Sequence, residues 1–81
     1  MRKVKLRYFG RLSEIIGSDN EIVELKHDKT LGILNAELQL KYPGLSKVHY
    51  LIFVNSTKAT NLDIKINNTD EISFMPPFSG G

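Results

Sequence analysis

The sequence predicts an α+β fold: a mixed sheet of about five strands with one main helix and one short helix. Three observations predict it. Strand-like alternation opens the chain at 3–9 and closes it at 71–75. Between these two segments, residues 31–41 carry their apolar side chains on one helical face. And a chain of 81 residues can bury only one small core, which leaves no room for a deep catalytic cleft.

Residues 3–9 (Lys3-Val4-Lys5-Leu6-Arg7-Tyr8-Phe9) have the period of a half-buried strand, with Val4, Leu6 and Tyr8 on one side and Lys3, Lys5 and Arg7 on the other. Phe9 continues the outward set, either covering the strand end or seeding an apolar docking patch. Gly10 to Gly17 enclose Leu12, Ile15 and Ile16, whose i, i+3, i+4 spacing suits a short helix stopped at Gly17. Ser18-Asp19-Asn20 reads as a turn. Glu21 to Lys26 is the second strand, antiparallel to the first because so short a connection cannot make a parallel crossover. Thr30 is the N-cap of the main helix, Leu31 to Lys41, whose buried stripe is Leu31, Leu34, Leu38 and Tyr42, flanked by Ile33. Gly32 weakens this helix by about 1 kcal/mol relative to alanine, so packing must hold it. Pro43-Gly44 ends it. Leu51 to Val54 is short and apolar, as a central strand would be, and Asn55-Ser56-Thr57-Lys58 turns into a weak strand near 58–60. Leu62, Ile64 and Ile66 repeat the strand-like alternation before the turn Asn67-Asn68-Thr69-Asp70. Glu71 to Met75 is the last strand, with Ile72 and Phe74 inward. Ser73 and Met75 then share the outer face with Phe9 if the first and last strands are neighbours. Those two strands, parallel and joined by a long right-handed crossover through the main helix, make the β-grasp arrangement of ubiquitin-like proteins. Residues 1–75 form the domain and 76–81 an extended tail.

Composition removes several functions. The 11 basic and 9 acidic residues nearly balance, which argues against binding nucleic acid by phosphate neutralisation. The absence of cysteine excludes disulfides, thiolate metal sites and a persulfide-carrying side chain. His27 and His49 stand isolated, so no metal site is expected, and no local Ser-His-Asp signature is present. With no apolar run near the length of a membrane span and no signal-peptide pattern at the N-terminus, a soluble cytoplasmic protein is expected.

The chemistry sits at the other end, Pro76-Pro77-Phe78-Ser79-Gly80-Gly81. Two glycines present no side chain to a narrow channel, and their backbone can approach a nucleotide closely. Two prolines fix φ twice over and donate no ladder hydrogen bonds, so they end the sheet and project a stiff stalk. Extended, residues 76–81 reach about 20 Å.

With Tyr8-Phe9-Gly10-Arg11-Leu12-Ser13-Glu14-Ile15-Ile16-Gly17 after the first strand, Val54-Asn55 at the hairpin, and Asp70 to Pro77 leading into Phe78-Ser79-Gly80-Gly81, the chain resembles the small subunits of molybdopterin synthase, the MoaD-type sulfur carriers. The Pro-Pro-x-x-Gly-Gly ending is the specific part. The Phe78-Ser79 pair departs from the small or branched residues commoner there. The resemblance implies that an activating enzyme uses ATP to adenylate the Gly81 carboxylate and that a sulfur donor converts it to a thiocarboxylate. The large synthase subunit then receives the tail and passes sulfur to cyclic pyranopterin monophosphate. It implies a heterotetramer of small and large subunits, no stably bound cofactor, and acid–base residues on the large subunit. Phe9, Arg11, Met75 and Phe78 are the expected docking residues. A sulfur carrier for thiazole or tRNA thiolation, a lysine-conjugated modifier, or a β-grasp binding module with an idle tail are the alternatives.

Overall fold

The computed structural model describes residues 2–67 and 70–77. In chain order they form β1 (Arg2–Tyr8), α1 (Arg11–Ile16), β2 (Asn20–Leu25), α2 (Leu31–Lys41), a 3₁₀ segment (Pro43–Lys47), β3 (Leu51–Val54), β4 (Thr57–Lys58) and β5 (Glu71–Met75). The sheet order is β2-β1-β5-β3-β4. The first and last strands are parallel neighbours in its middle, and every other pairing is antiparallel. This is the expected β-grasp sheet.

The core lies between the sheet and α2. Val4, Leu6 and Tyr8 of β1, Ile72 and Phe74 of β5 and Ile52 of β3 face Leu31, Leu34 and Leu38 of α2, with Leu12 and Leu45 closing one end. Phe74 is fully buried, its ring stacked on Tyr8 at 5.4 Å and edge-on to Tyr50 at 5.8 Å. Aromatic pairs at this spacing add about 0.5–1.5 kcal/mol beyond the area they bury.

One expectation changes. Leu62, Ile64 and Ile66 do not form a strand, because their backbone serves the start of α2 instead. The Ile64 and Leu62 carbonyls accept from the N–H groups of Leu31 (2.9 Å) and Gly32 (2.8 Å), while Thr30 Oγ1 accepts from Ile33 N–H at 3.2 Å. Ladder pairing is reduced to one isolated bridge, Thr30 with Lys65. The helix thereby satisfies donors that would otherwise be orphaned. Gly32 is part of this arrangement, since a Cβ there would stand 3.2 Å from the Leu62 carbonyl oxygen that its N–H binds.

The start of β5 is fixed by a polar lock. Asn55, in the left-handed region at φ 50°, donates from Nδ2 to Asp70 Oδ1 (2.8 Å) and accepts from Glu71 N–H (2.9 Å). Asp70 Oδ2 accepts from Asn67 N–H at 2.7 Å. The Val54-Asn55 turn therefore sets the register of the strand from which the tail departs.

Glu21 ties β1 and β2 to the end of α2. It accepts from the buried Tyr8 hydroxyl at 2.7 Å and from Tyr42 at 3.4 Å, and pairs with Lys41 Nζ at 3.5 Å. Burial, and then the Glu21 carboxylate, hold the Tyr8 phenol far above its usual range. The unfolded phenol ionises near pH 10 while the folded one keeps its proton, so this contribution is complete below about pH 10 and lost above it. Equilibrium unfolding followed across that range is expected to show a steeper alkaline loss for the unaltered chain than for Tyr8→Phe. Glu21→Ala, which strands the Tyr8 hydroxyl, is expected to lower stability by about 1–3 kcal/mol in urea titrations.

Candidate functional site

Alternation along three strands sets one apolar patch on the sheet face opposite α2. Ile52, Ile72 and Phe74 point into the core, so Leu51, Phe53, Ser73 and Met75 point away from it. Registers then line them up. Leu51 lies opposite Met75, and Phe9, whose N–H donates to the Phe74 carbonyl at 3.0 Å, follows one step beyond the Tyr8–Phe74 pair. The next row runs Arg7, Ser73, Phe53, Lys58 across four strands. Phe9, Leu51, Phe53 and Met75 are all half-buried in the isolated chain. Cations border them: Lys58 stands opposite Phe53, and the Arg7 guanidinium lies 5.1 Å from the Phe9 ring centre and 3.8 Å from Glu71 Oε1. Phe9 and Met75, named from sequence, fall together here. The sequence does not single out Leu51 and Phe53, because a four-residue apolar run looks buried on both faces until its register with β5 is known.

Two features fix where Pro76 leaves the edge of this patch. The sheet ends at Met75, since Pro76 has no N–H to continue the ladder. Gly10, at φ 56°, receives the Pro76 ring so closely that a Cβ would meet Pro76 Cγ at 3.1 Å. Any larger residue would be strained in backbone and would displace the proline. Ser13 Oγ donates to the Gly10 carbonyl at 2.7 Å and holds this corner to α1.

Arg11 lies apart from the Phe9 row. It is exposed at the start of α1 and lines a cleft of about 390 Å³ with Leu12, Lys47, Val48, His49, Pro76 and Pro77. The 3₁₀ segment reaches α1 because Gly44 lies bare against Ile15, where a Cβ would come within 2.9 Å of Cγ2. Phe78, Ser79, Gly80 and Gly81 lie outside the described residues. Among the described residues no helix is long and apolar enough to cross a membrane.

This sheet, the diproline exit and the Gly-Gly sequence coincide with a match of residues 6–81 to the ThiS family. The chain belongs to the ThiS family. Within and around it, a Dictyostelium discoideum protein named molybdopterin synthase sulfur carrier subunit is 35% identical over 81 residues, covering 95% of this chain and 94% of that protein. A chain in a complex of subunits 1 and 2 of the Helicobacter pylori molybdopterin-converting factor is 30% identical, with a TM-score of 0.71 over 98% of this chain and 99% of that one. The Haloferax volcanii small archaeal modifier protein 1 is 25% identical, with a TM-score of 0.80 over 96% of this chain and 100% of that one. The resemblance drawn from the Tyr8–Gly17 segment, Val54-Asn55 and the ending is thus borne out, and the ThiS-family fold accounts for each of those segments. The first builds the Gly10 corner, the second locks β5, and Asp70 to Pro77 of the third carry β5 out to the Pro76 contact with Gly10.

Proposed function

We propose that this ThiS-family chain is the sulfur-carrier small subunit of a molybdopterin synthase. The observation that carries the reading is the exit of β5, which ends against Gly10 at the border of an apolar patch, so a partner that takes the tail meets the patch at once. In the proposed cycle an activating enzyme joins the Gly81 carboxylate to AMP from ATP, releasing pyrophosphate. A sulfur donor then displaces AMP and leaves a thiocarboxylate. A carboxylate is a poor electrophile and adenylation supplies the leaving group, whereas thiocarboxylate sulfur is the stronger nucleophile and can attack an activated carbon of the pterin precursor. Hydrolysis of the resulting acyl–sulfur bond leaves sulfur on the pterin and returns the carboxylate, and two such transfers make a dithiolene. Acid–base groups and the substrate pocket belong to the large subunit in this reading.

Reconstitution with a recombinant large subunit and the pterin precursor tests it. Phe53→Ala is expected to weaken large-subunit binding about tenfold or more, measured by calorimetry, because a half-buried aromatic at the centre of a patch is where binding energy concentrates. Its melting temperature should fall by only a few degrees. Binding unchanged by Phe53→Ala would move the docking surface elsewhere.

A second reading, a lysine-conjugated modifier, is favoured by the similarity to the archaeal modifier protein. Isopeptide-linked Gly81 on many cellular lysines, recovered under denaturing conditions, would support it.

A further inference from the structure

We infer that the cleft beside the diproline is a second docking element, a cationic socket for acidic side chains at the mouth of the subunit that receives the tail. This rests on the reading of the chain as a tail-donating subunit. The floor of the cleft is apolar, made by Leu12, Val48, Pro76 and Pro77, and its polar members are Arg11, Lys47 and His49. All three are exposed, and no side-chain hydrogen bond or ion pair engages any of them among the described residues. Among the described residues no carboxylate lines the cleft. Three cations outside the cleft are paired, Arg7 with Glu71, Lys29 with Glu37 and Lys41 with Glu21, while Lys5, Lys26, Lys58 and Lys65 have no ion pair among the described residues. What sets the cleft apart is that its cations stand over an apolar floor beside the diproline. Here positive charge over an apolar floor is left for another molecule.

Position selects that molecule. Pro76 is shared: it packs on Gly10, next to Phe9 of the apolar patch, and it also lines the cleft. A partner closing around the stalk therefore meets the apolar patch and the cleft together, and it gains most by presenting carboxylates to the cleft. The adenylate phosphate is a poorer candidate. Four residues separate Pro77 from Gly81, a span of about 13 Å for an extended chain, whereas Arg11, Lys47 and His49 line the same cleft as Pro76 and Pro77.

The test is the association rate of the full chain and of its R11Q/K47Q variant with the recombinant large subunit, at about 50 and 300 mM salt. Both substitutions are on exposed side chains, and equal melting temperatures confirm that the fold is kept. The variant is expected to associate about tenfold more slowly at low salt, with the difference shrinking at high salt. Equal rates at both salt concentrations would overturn the socket while leaving the proposed function standing, provided Phe53→Ala still weakens the complex. Faster or tighter binding by the variant would also overturn it, pointing to residues 78–81 of this chain as the occupant. No binding by the unaltered chain would remove both the socket and the large-subunit reading.

Discussion

Adding one residue after Gly81, or deleting Gly81, is expected to abolish sulfur transfer to the pterin precursor and leave the fold unchanged. The reacting group in this account is the carboxyl carbon of Gly81, and its position is set by a count of residues from a fixed point. That point is Pro76, held against Gly10 by a contact too close to admit a side chain. Each residue spans about 3.3–3.6 Å when extended. One residue too many or too few therefore misplaces the carbonyl by more than a covalent reaction tolerates, since reacting atoms must approach within about 3–3.5 Å. The core is remote from this change, because it ends with Phe74 on β5. Thermal melts of the altered chains should overlay that of the parent, while turnover falls to background. Retained transfer by the extended chain would contradict the thiocarboxylate mechanism.

Phe74→Ala is expected to have the opposite profile, a large loss of stability with the tail chemically intact. Phe74 is fully buried between Tyr8 and Tyr50, on the central strand that pairs with both β1 and β3. Truncating such a residue removes its transfer free energy and leaves a cavity, together about 3–5 kcal/mol. A domain of this size has about 4–12 kcal/mol in total. Urea titration should therefore show a midpoint shifted by a large fraction, and the melting temperature should fall by more than about 12 °C. Activity should follow the folded fraction and recover as temperature is lowered. Phe53, one strand away and on the other face, is the contrast: its loss is expected to act on binding and to spare stability. A shift of less than about 1 kcal/mol for Phe74→Ala would mean that the core is organised differently.

The strands with strict alternation are legible from sequence because one face of each is buried and the other is not. Val4, Leu6 and Tyr8 on β1 and Ile72 and Phe74 on β5 are buried as the period requires. The main helix begins and ends where Thr30 and Pro43 place its boundaries. Alternation misleads at Leu62, Ile64 and Ile66. Only Ile66 enters the core, and the backbone there answers the donors of α2 rather than a strand. Nothing local in the sequence distinguishes those two uses of a carbonyl. At the site, Phe9 and Met75 are legible because each is an apolar residue in an outward-facing position. Leu51 and Phe53 depend on the β3–β5 register, and the company of Arg11 with Lys47 and His49 depends on a packing contact between Ile15 and Gly44. Both are long-range facts that composition and period do not carry.

The central claim, that Gly81 carries sulfur, is tested most directly by the intact mass of the chain after incubation with an activating enzyme, ATP and a sulfide source. The account predicts replacement of one oxygen by sulfur, absent from a chain lacking Gly81. An unchanged mass, with the same activating enzyme competent on another carrier, would contradict it and leave the glycine pair as a passive end to a β-grasp binding module.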